Sequence, residues 1–256
     1  MHFITNEPYK LRYFLEFAYK GTNYHGWQYQ PNAVSVQETL SNALSTILKT
    51  TIDLVGAGRT DTGVHAKQMF AHFDIAEKID IEPFIFKANS FLPKDIAIIH
   101  LYLVQDDAHA RFDATERTYH YHIHQNKDAF ESNDSWYYHQ KLNLQKMNDA
   151  CKLLISYSDF ECFSKVNTDV NTFNCKISKA IWTKNSDTIV FEISADRFLR
   201  NMVRAIVGTM INIGLEKISL IDFQEILDGK DRSKAGFSAP AHGLYLTSVK
   251  YPYIAI

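Results

Sequence analysis

The sequence predicts an α+β protein of two similar halves, each an antiparallel sheet with its helices on one face, set side by side with a cleft between them. Three observations predict it. Apolar residues alternate at period two in some segments and recur at helical spacing in others. The order strand–helix–strand–strand–helix–strand occurs twice, with one extra short helix the second time. The chain has 256 residues, 46% hydrophobic and 22% charged, which suits one large or two small globular domains. A polar stretch, residues 105–113, separates the two runs, so the halves are expected at 1–107 and 108–256.

The first half opens with an aromatic and apolar strand at residues 11–18, followed by a loop, 19–31, rich in Gly, Asn, Tyr and Pro. Ser35-Val36-Gln37-Glu38 has the form of a capping box and starts a helix. Val36, Leu40, Ala43, Leu44, Ile47 and Leu48 then share one helical face. Residues 52–55 and 69–75 read as strands around a Gly-containing loop. Residues 81–91 read as a helix ended before Pro93, and 96–104 as a strand.

In the second half, residues 117–124 alternate as a strand, and 144–155 carry Leu144, Met147, Cys151 and Leu154 on one helical stripe. Strands at 176–182 and 188–194 are joined by a turn at Asn185-Ser186-Asp187. Leu199, Met202, Val203, Ile206, Val207, Met210 and Ile211 mark an amphipathic helix. Residues 221–227 give a short helix and 244–250 a final strand.

Composition narrows the class. Residues 1–10 lack the apolar run of a signal peptide, and no stretch approaches the ~20 apolar residues of a membrane span. A cytoplasmic protein is expected. Cys151, Cys162 and Cys175 are widely spaced and odd in number, so buried reduced thiols are expected rather than a disulfide framework. The net charge is −2. That weighs against a strongly basic nucleic-acid binder, but a basic cleft can hide in a neutral total.

Four segments could carry chemistry. Gly56-Ala57-Gly58-Arg59-Thr60-Asp61-Thr62-Gly63-Val64-His65-Ala66 lies between two strands, and its three glycines let backbone approach a ligand. It presents Asp61 either to a substrate or as the cap of a tight surface turn. It lacks both the dinucleotide-binding glycine spacing and the Gly-Lys-Ser/Thr of a P-loop. The loop at 19–31 interleaves rings with amides and Lys20. Its rings, Tyr24 among them, either stack on unpaired bases, with Gln28 reading polar edges, or fold back onto the core.

On the strand at 117–124, Tyr119, Tyr121 and Ile123 share one face, and His120, His122 and His124 the other. The outer two histidines lie about 13 Å apart along the strand. No Asp, Glu or Cys at a familiar spacing completes a ligand set, so an exposed polar face is expected rather than a metal site. Arg200 and Arg204 fall at i and i+4 on the amphipathic helix, with Arg197 just before it. They serve a phosphate, a buried carboxylate or only the solvated surface.

Taken together these segments resemble the bacterial tRNA pseudouridine synthase A family. The likeness lies in Gly58 to Ala66 and in Tyr19-Lys20-Gly21, Tyr24-His25-Gly26-Trp27-Gln28 and Ser35-Val36-Gln37-Glu38 upstream. Downstream it continues in Ala110-Arg111-Phe112, Arg117-Thr118-Tyr119, Asp159-Phe160, Asn201-Met202-Val203-Arg204 and Gly243-Leu244-Tyr245-Leu246. These motifs run in order along nearly the whole chain.

The resemblance implies two ferredoxin-like, RRM-like halves with the active-site cleft between them. It implies isomerisation of uridine to pseudouridine at positions 38, 39 and 40 in the anticodon stem-loop of tRNA, a homodimer, no cofactor and no metal. Residue by residue, Asp61 takes the place of the catalytic carboxylate and Tyr119 that of the Tyr stacked on the target base. Arg204 takes the place of its ion-pair partner, Arg59 that of the loop Arg near the flipped nucleotide, and Leu244 that of a pocket-lining Leu. Phosphates would be met by Lys20, Arg111, Arg197 and Arg200, with Lys230, Arg232 and Lys234 as further candidates.

Two points depart from the family: the low overall charge, and residues 167–171, which resemble an insert and carry Asp169 where a tRNA-facing loop is expected. Two other classes remain open on sequence alone, a non-catalytic RNA-binding protein on the same scaffold and a metal-dependent hydrolase using His120, His122 and His124.

Overall fold

The computed structural model describes residues 10–166 and 170–254; the acidic residue of the insert-like segment lies outside them, as do residues 1–9. The first half contains β1 (Leu11–Tyr19), α1 (Val36–Leu48), β2 (Val55–Gly56), β3 (His65–Ile75), α2 (Ile81–Phe91) and β4 (Ile96–Val104). The second contains β5 (Glu116–His124), β6 (Trp136–Tyr137), α3 (Leu144–Ile155), β7 (Ile177–Asn185), β8 (Thr188–Ala195), α4 (Met202–Gly214), α5 (Leu220–Gly229) and β9 (Leu244–Lys250). The chain is α+β, as expected.

Local chemistry explains the element ends. Ser35 Oγ accepts from the Glu38 N–H at 3.2 Å and starts α1. The reciprocal half of the box is found instead at α5, where Ser219 and Asp222 cap each other. Leu92 is extended before Pro93 and stops α2, because the proline ring disfavours helical backbone in the residue before it. Asn201 takes φ 67°, a left-handed conformation that short polar side chains tolerate. This turn makes α4 begin at Met202, so Arg200 precedes the helix and only Arg204 lies on it.

The two expected sheets are one. Its strands run β4-β1-β3-β9-β5-β8-β7, with β2 on β3 and β6 on β5. The last strand makes the join. It pairs antiparallel with β5, setting Tyr119 opposite Leu246 and Tyr121 opposite Leu244. On its other edge it pairs parallel with β3, through His65–Tyr245 and Ala66–Leu246. Tyr119, Leu246 and Ala66 therefore lie in one row across the middle of the sheet.

The cores are stitched the same way. The N-terminal cluster, with Phe14, Phe17, Trp27 and Phe70, takes in Leu246, Val249 and Tyr251 from the end of the chain. The C-terminal cluster, with Tyr121, Phe160, Phe191 and Met210, takes in Val64 from the Asp61 loop. Cys151, Cys162 and Cys175 are free and buried, and burial pushes each thiol up to about 12.

The histidine face of β5 is not the exposed polar face expected from alternation. His124 is buried, with Nδ1 2.6 Å from Ser135 Oγ, because the segment leading into β6 lies against it. His122 packs edge-on against Tyr245, and burial lowers its pKa to about 4. Among the described residues no group of three or more His, Cys, Asp or Glu side chains is placed to hold a metal ion. Among the same residues no helix is long and apolar enough to cross a membrane.

Candidate active site

Asp61 sits in the turn that feeds β3. The Val64 N–H returns to the Asp61 carbonyl at 3.1 Å, and Gly63 between them takes φ 79°, a conformation that disfavours residues with a Cβ. The Asp61 side chain keeps 25% exposure, half-sunk but open to a ligand.

The aromatic loop ahead of α1 builds the wall behind this turn. Trp27 N–H donates to the Thr60 carbonyl at 3.3 Å, and Gly63 N–H to the Tyr24 carbonyl at 3.3 Å. Tyr19 Oη and Thr60 Oγ1 meet at 2.8 Å. Gly21 N–H donates to His65 Nδ1 at 3.0 Å, which leaves the Nε2 proton to point at the His242 carbonyl 3.2 Å away. A Cβ on Gly26 would stand 2.3 Å from the Thr60 oxygen, so only glycine permits this approach. The wall corrects the base-facing reading of the loop. Tyr24 is buried with its hydroxyl on Asp95 at 2.7 Å, and Trp27 lies in the N-terminal core. Gln28 is spent on Gln37 at 3.0 Å, and Lys20 is paired with Asp134 at 2.7 Å.

The facing wall comes from the far end of the chain. Arg204 Nη1 donates to Asp61 Oδ2 at 3.2 Å, while its Nε donates to the Ala239 carbonyl at 2.7 Å. Ala239 N–H returns to the Arg204 carbonyl at 3.0 Å. Arg200 Nε stands 4.0 Å from Asp61 Oδ1 and is more exposed, at 59% against 20% for Arg204. The segment before β9 is pressed onto α4 so closely that a Cβ on Gly208 would meet the Phe237 carbonyl at 1.8 Å. Tyr121 Oη, donating to the Pro240 carbonyl at 2.8 Å, fastens the same segment to β5.

Tyr119 stands on β5 with Phe198 edge-on at 5.1 Å. Burial, opposed by the Arg117 charge and reinforced by that of Asp61, pushes its hydroxyl up to about 12, so it stays protonated at neutral pH. Leu244, expected to line the pocket, is 5% exposed and belongs to the C-terminal core through its pairing with Tyr121. Arg59 and Arg111 are exposed. Arg197 Nη1 approaches the Thr172 carbonyl at 3.5 Å. Lys230 is taken by Asp159 at 2.6 Å, and Arg232 holds the Gly236 carbonyl at 3.0 Å.

Sequence reasoning assigned no task to Arg117, which holds the site together. Its Nη2 donates to the carbonyls of Ala57 at 2.9 Å and Arg111 at 2.7 Å, and its Nη1 to those of Asp196 at 2.7 Å and Ala114 at 3.0 Å. One guanidinium thus fixes the start of the Asp61 loop, the turn before β5 and the end of β8. An arginine opening a strand at the junction of two halves was the available signal.

A carboxylate between two guanidiniums, beside a protonated phenol and against a fitted backbone wall, is a site for anchored acid–base or nucleophilic chemistry. A family model described as tRNA pseudouridine synthase matches residues 17–113 and 150–252. The chain belongs to that family. Curated relatives named tRNA pseudouridine synthase A include one from Bacteroides fragilis, 51% identical over 94% of this chain and 96% of its own length. One from Porphyromonas gingivalis is 51% identical over 94% and 97%. One from a Thermoanaerobacter species is 42% identical over 91% and 96%. Pseudouridine synthases are isomerases, and by family this chain is an isomerase that acts on tRNA. Both stretches that match the family model contribute to the site, Asp61 from the first and Arg204 from the second.

Proposed function

We propose that the chain converts uridine to pseudouridine at positions 38, 39 and 40 in the anticodon stem-loop of tRNA, with Asp61 as the reacting carboxylate. The observation that carries this reading is the Asp61–Arg204 pair at 3.2 Å, with Arg200 flanking it and Tyr119 close by. In the reaction the N1–C1′ bond breaks, the freed uracil turns, and C5 bonds to C1′. The C5 proton is lost and N1 ends protonated, so atoms and electrons balance with no cofactor and no metal, and none is proposed.

Asp61 either attacks C1′ or takes the C2′ proton. Both steps need the carboxylate charged, and the two guanidiniums supply the countercharge. The target base must first leave its stack, at a cost of a few kcal/mol. Stacking on Tyr119 recovers roughly 1–3 kcal/mol of that. The Tyr119 hydroxyl also helps remove the C5 proton. Arg59, exposed on the same loop as Asp61, guides the flipped nucleotide. Arg111, Arg197 and Arg200 meet phosphates.

The strand order supports two ferredoxin-like halves, 1–107 and 108–256. Counted within each half, with the two-residue β6 left aside, both β4-β1-β3-β2 and β9-β5-β8-β7 read 4-1-3-2. With a net charge of −2, pooling the basic surfaces of two subunits in a homodimer favours tRNA binding. A tRNA substrate supports a cytoplasmic site of action. The test is tritium release from unmodified tRNA labelled at uridine C5, wild type against Asp61→Asn. Release by wild type alone is expected. No release by folded wild type on several tRNAs would reject the isomerase reading.

A further inference from the structure

Phe112 is 73% exposed, yet its ring is not free to wander. The turn that bears it is locked by its own polar groups. His109 Nδ1 accepts from the Arg111 and Phe112 N–H groups at 3.1 and 3.3 Å. The His109 N–H donates to Asp113 Oδ2 at 2.7 Å, and the Asp113 N–H returns to the His109 carbonyl at 3.0 Å. The Phe112 ring lies against the His109 ring, centroids 4.3 Å apart, and the Arg111 guanidinium stands 5.6 Å from the Phe112 centroid. The ring packs on His109 and Arg111 on one side and leaves its remaining surface to solvent. Its position beside Arg111 gives it a ligand to serve.

The location identifies that ligand. Arg117 Nη2 holds the Arg111 carbonyl and the Ala57 carbonyl together, so this turn is bolted to the start of the Asp61 loop. Arg117 Nη1 holds the Asp196 carbonyl, next to Arg197. The turn that carries the ring is thus joined by one guanidinium to the segment leading into the Asp61 loop and to the segment that carries Arg197. Ring faces and guanidinium planes both stack on unpaired bases, and they do so without reading base identity.

We infer that Phe112, backed by His109 and flanked by Arg111, is a stacking ledge for an unpaired base of the tRNA next to the reacting nucleotide. The inference rests on the tRNA-isomerase reading and adds a second nucleotide subsite to it. Such a ledge positions the RNA without taking part in bond making, so it acts on binding more than on turnover.

The test compares Phe112→Ala, Phe112→Leu and Phe112→Trp with wild type in C5-tritium release from an unmodified tRNA transcript. Thermal melts of all four proteins accompany it. Stacking predicts that Ala and Leu raise KM by at least about fivefold, with kcat within about twofold of wild type, and that Trp keeps the wild-type KM or lowers it. Leucine retains apolar bulk without a π-face, so a wild-type KM in Phe112→Leu would overturn the ledge. So would an unchanged KM in Phe112→Ala, a failure of Trp to rescue, or loss of folding in the Ala and Leu variants, which would assign the ring to packing. If wild type releases no tritium, it is the isomerase reading that fails. The ledge is then judged by filter-binding Kd of the same variants for the same transcript, with the same order expected and equal Kd values overturning it.

Discussion

Arg204 Nη1 reaches Asp61 Oδ2 at 3.2 Å across 143 residues of chain. The same guanidinium holds the Ala239 carbonyl, so charge and position are set by one side chain. Arg204→Gln removes the countercharge and is expected to lower kcat by about 100-fold or more, some 2.7 kcal/mol of barrier. Arg204→Lys restores the charge but not the fork that serves two acceptors at once, and should recover only part of the loss. Single-turnover tritium release reads both. Full activity in the lysine variant would show that charge alone suffices.

Arg117 should behave as a stability residue. Arg117→Ala leaves the carbonyls of Ala57, Arg111, Ala114 and Asp196 without their donor, and a loss of roughly 2–3 kcal/mol in urea unfolding is expected. Lysine, with one compact ammonium, should rescue little of it. A midpoint unchanged from wild type would mean that water replaces the guanidinium at no cost.

Gly26→Ala tests the wall behind Asp61. At φ 85° and with its Cβ 2.3 Å from the Thr60 carbonyl, alanine forces the two loops apart. A stability loss on the order of 1–3 kcal/mol is expected. Activity should fall further than stability explains, because the displaced atoms belong to the residue before Asp61. Wild-type kcat in a folded Gly26→Ala protein would show that the contact is dispensable.

Acid should weaken the N-terminal half through His72. Its Nδ1 accepts from the Ala110 N–H at 3.1 Å, and burial, helped by the Arg12 charge, lowers its pKa to about 4. The unfolded value is about 6.5. The fold therefore favours the neutral ring. That stabilisation is complete above about pH 6.5 and is lost progressively as pH falls to about 4. His72→Asn keeps an acceptor near the Nδ1 position and cannot titrate. Its stability should decline less steeply than wild type between pH 6.5 and 4, as followed by urea midpoints. Equal slopes would assign the acid sensitivity to other groups, His122 first.

Much of this could be read from the sequence because much of it is local. Residues 81–91, 144–155 and 244–250 come out as elements with the bounds the pattern predicts, since periodicity, Pro93 and the Asn143 cap act within a few residues. The Asp61 loop stands out by composition. The single sheet does not, because parallel pairing of β9 with β3 joins residues far apart in the chain and leaves no local mark. The aromatic loop at 19–31 leaves two readings open for a related reason. The same rings suit a base or a core, and only Thr60 and Asp95, remote in sequence, decide between them. The task of Arg117 escapes notice because its partners are backbone carbonyls, which every sequence has.

The central place of β9 also bears on how the enzyme is made. A chain growing from its N-terminus emits the Asp61 loop early, on a first half whose core still lacks Leu246 and Val249. At usual elongation rates the carboxylate waits on the order of ten seconds for Arg204, and slightly longer for the strand that draws the two walls together. Nascent protein therefore carries an unpaired Asp61 until Arg204 emerges and an open edge on β3 until β9 does. Both walls of the site stand together only once β9 has joined β3 to β5.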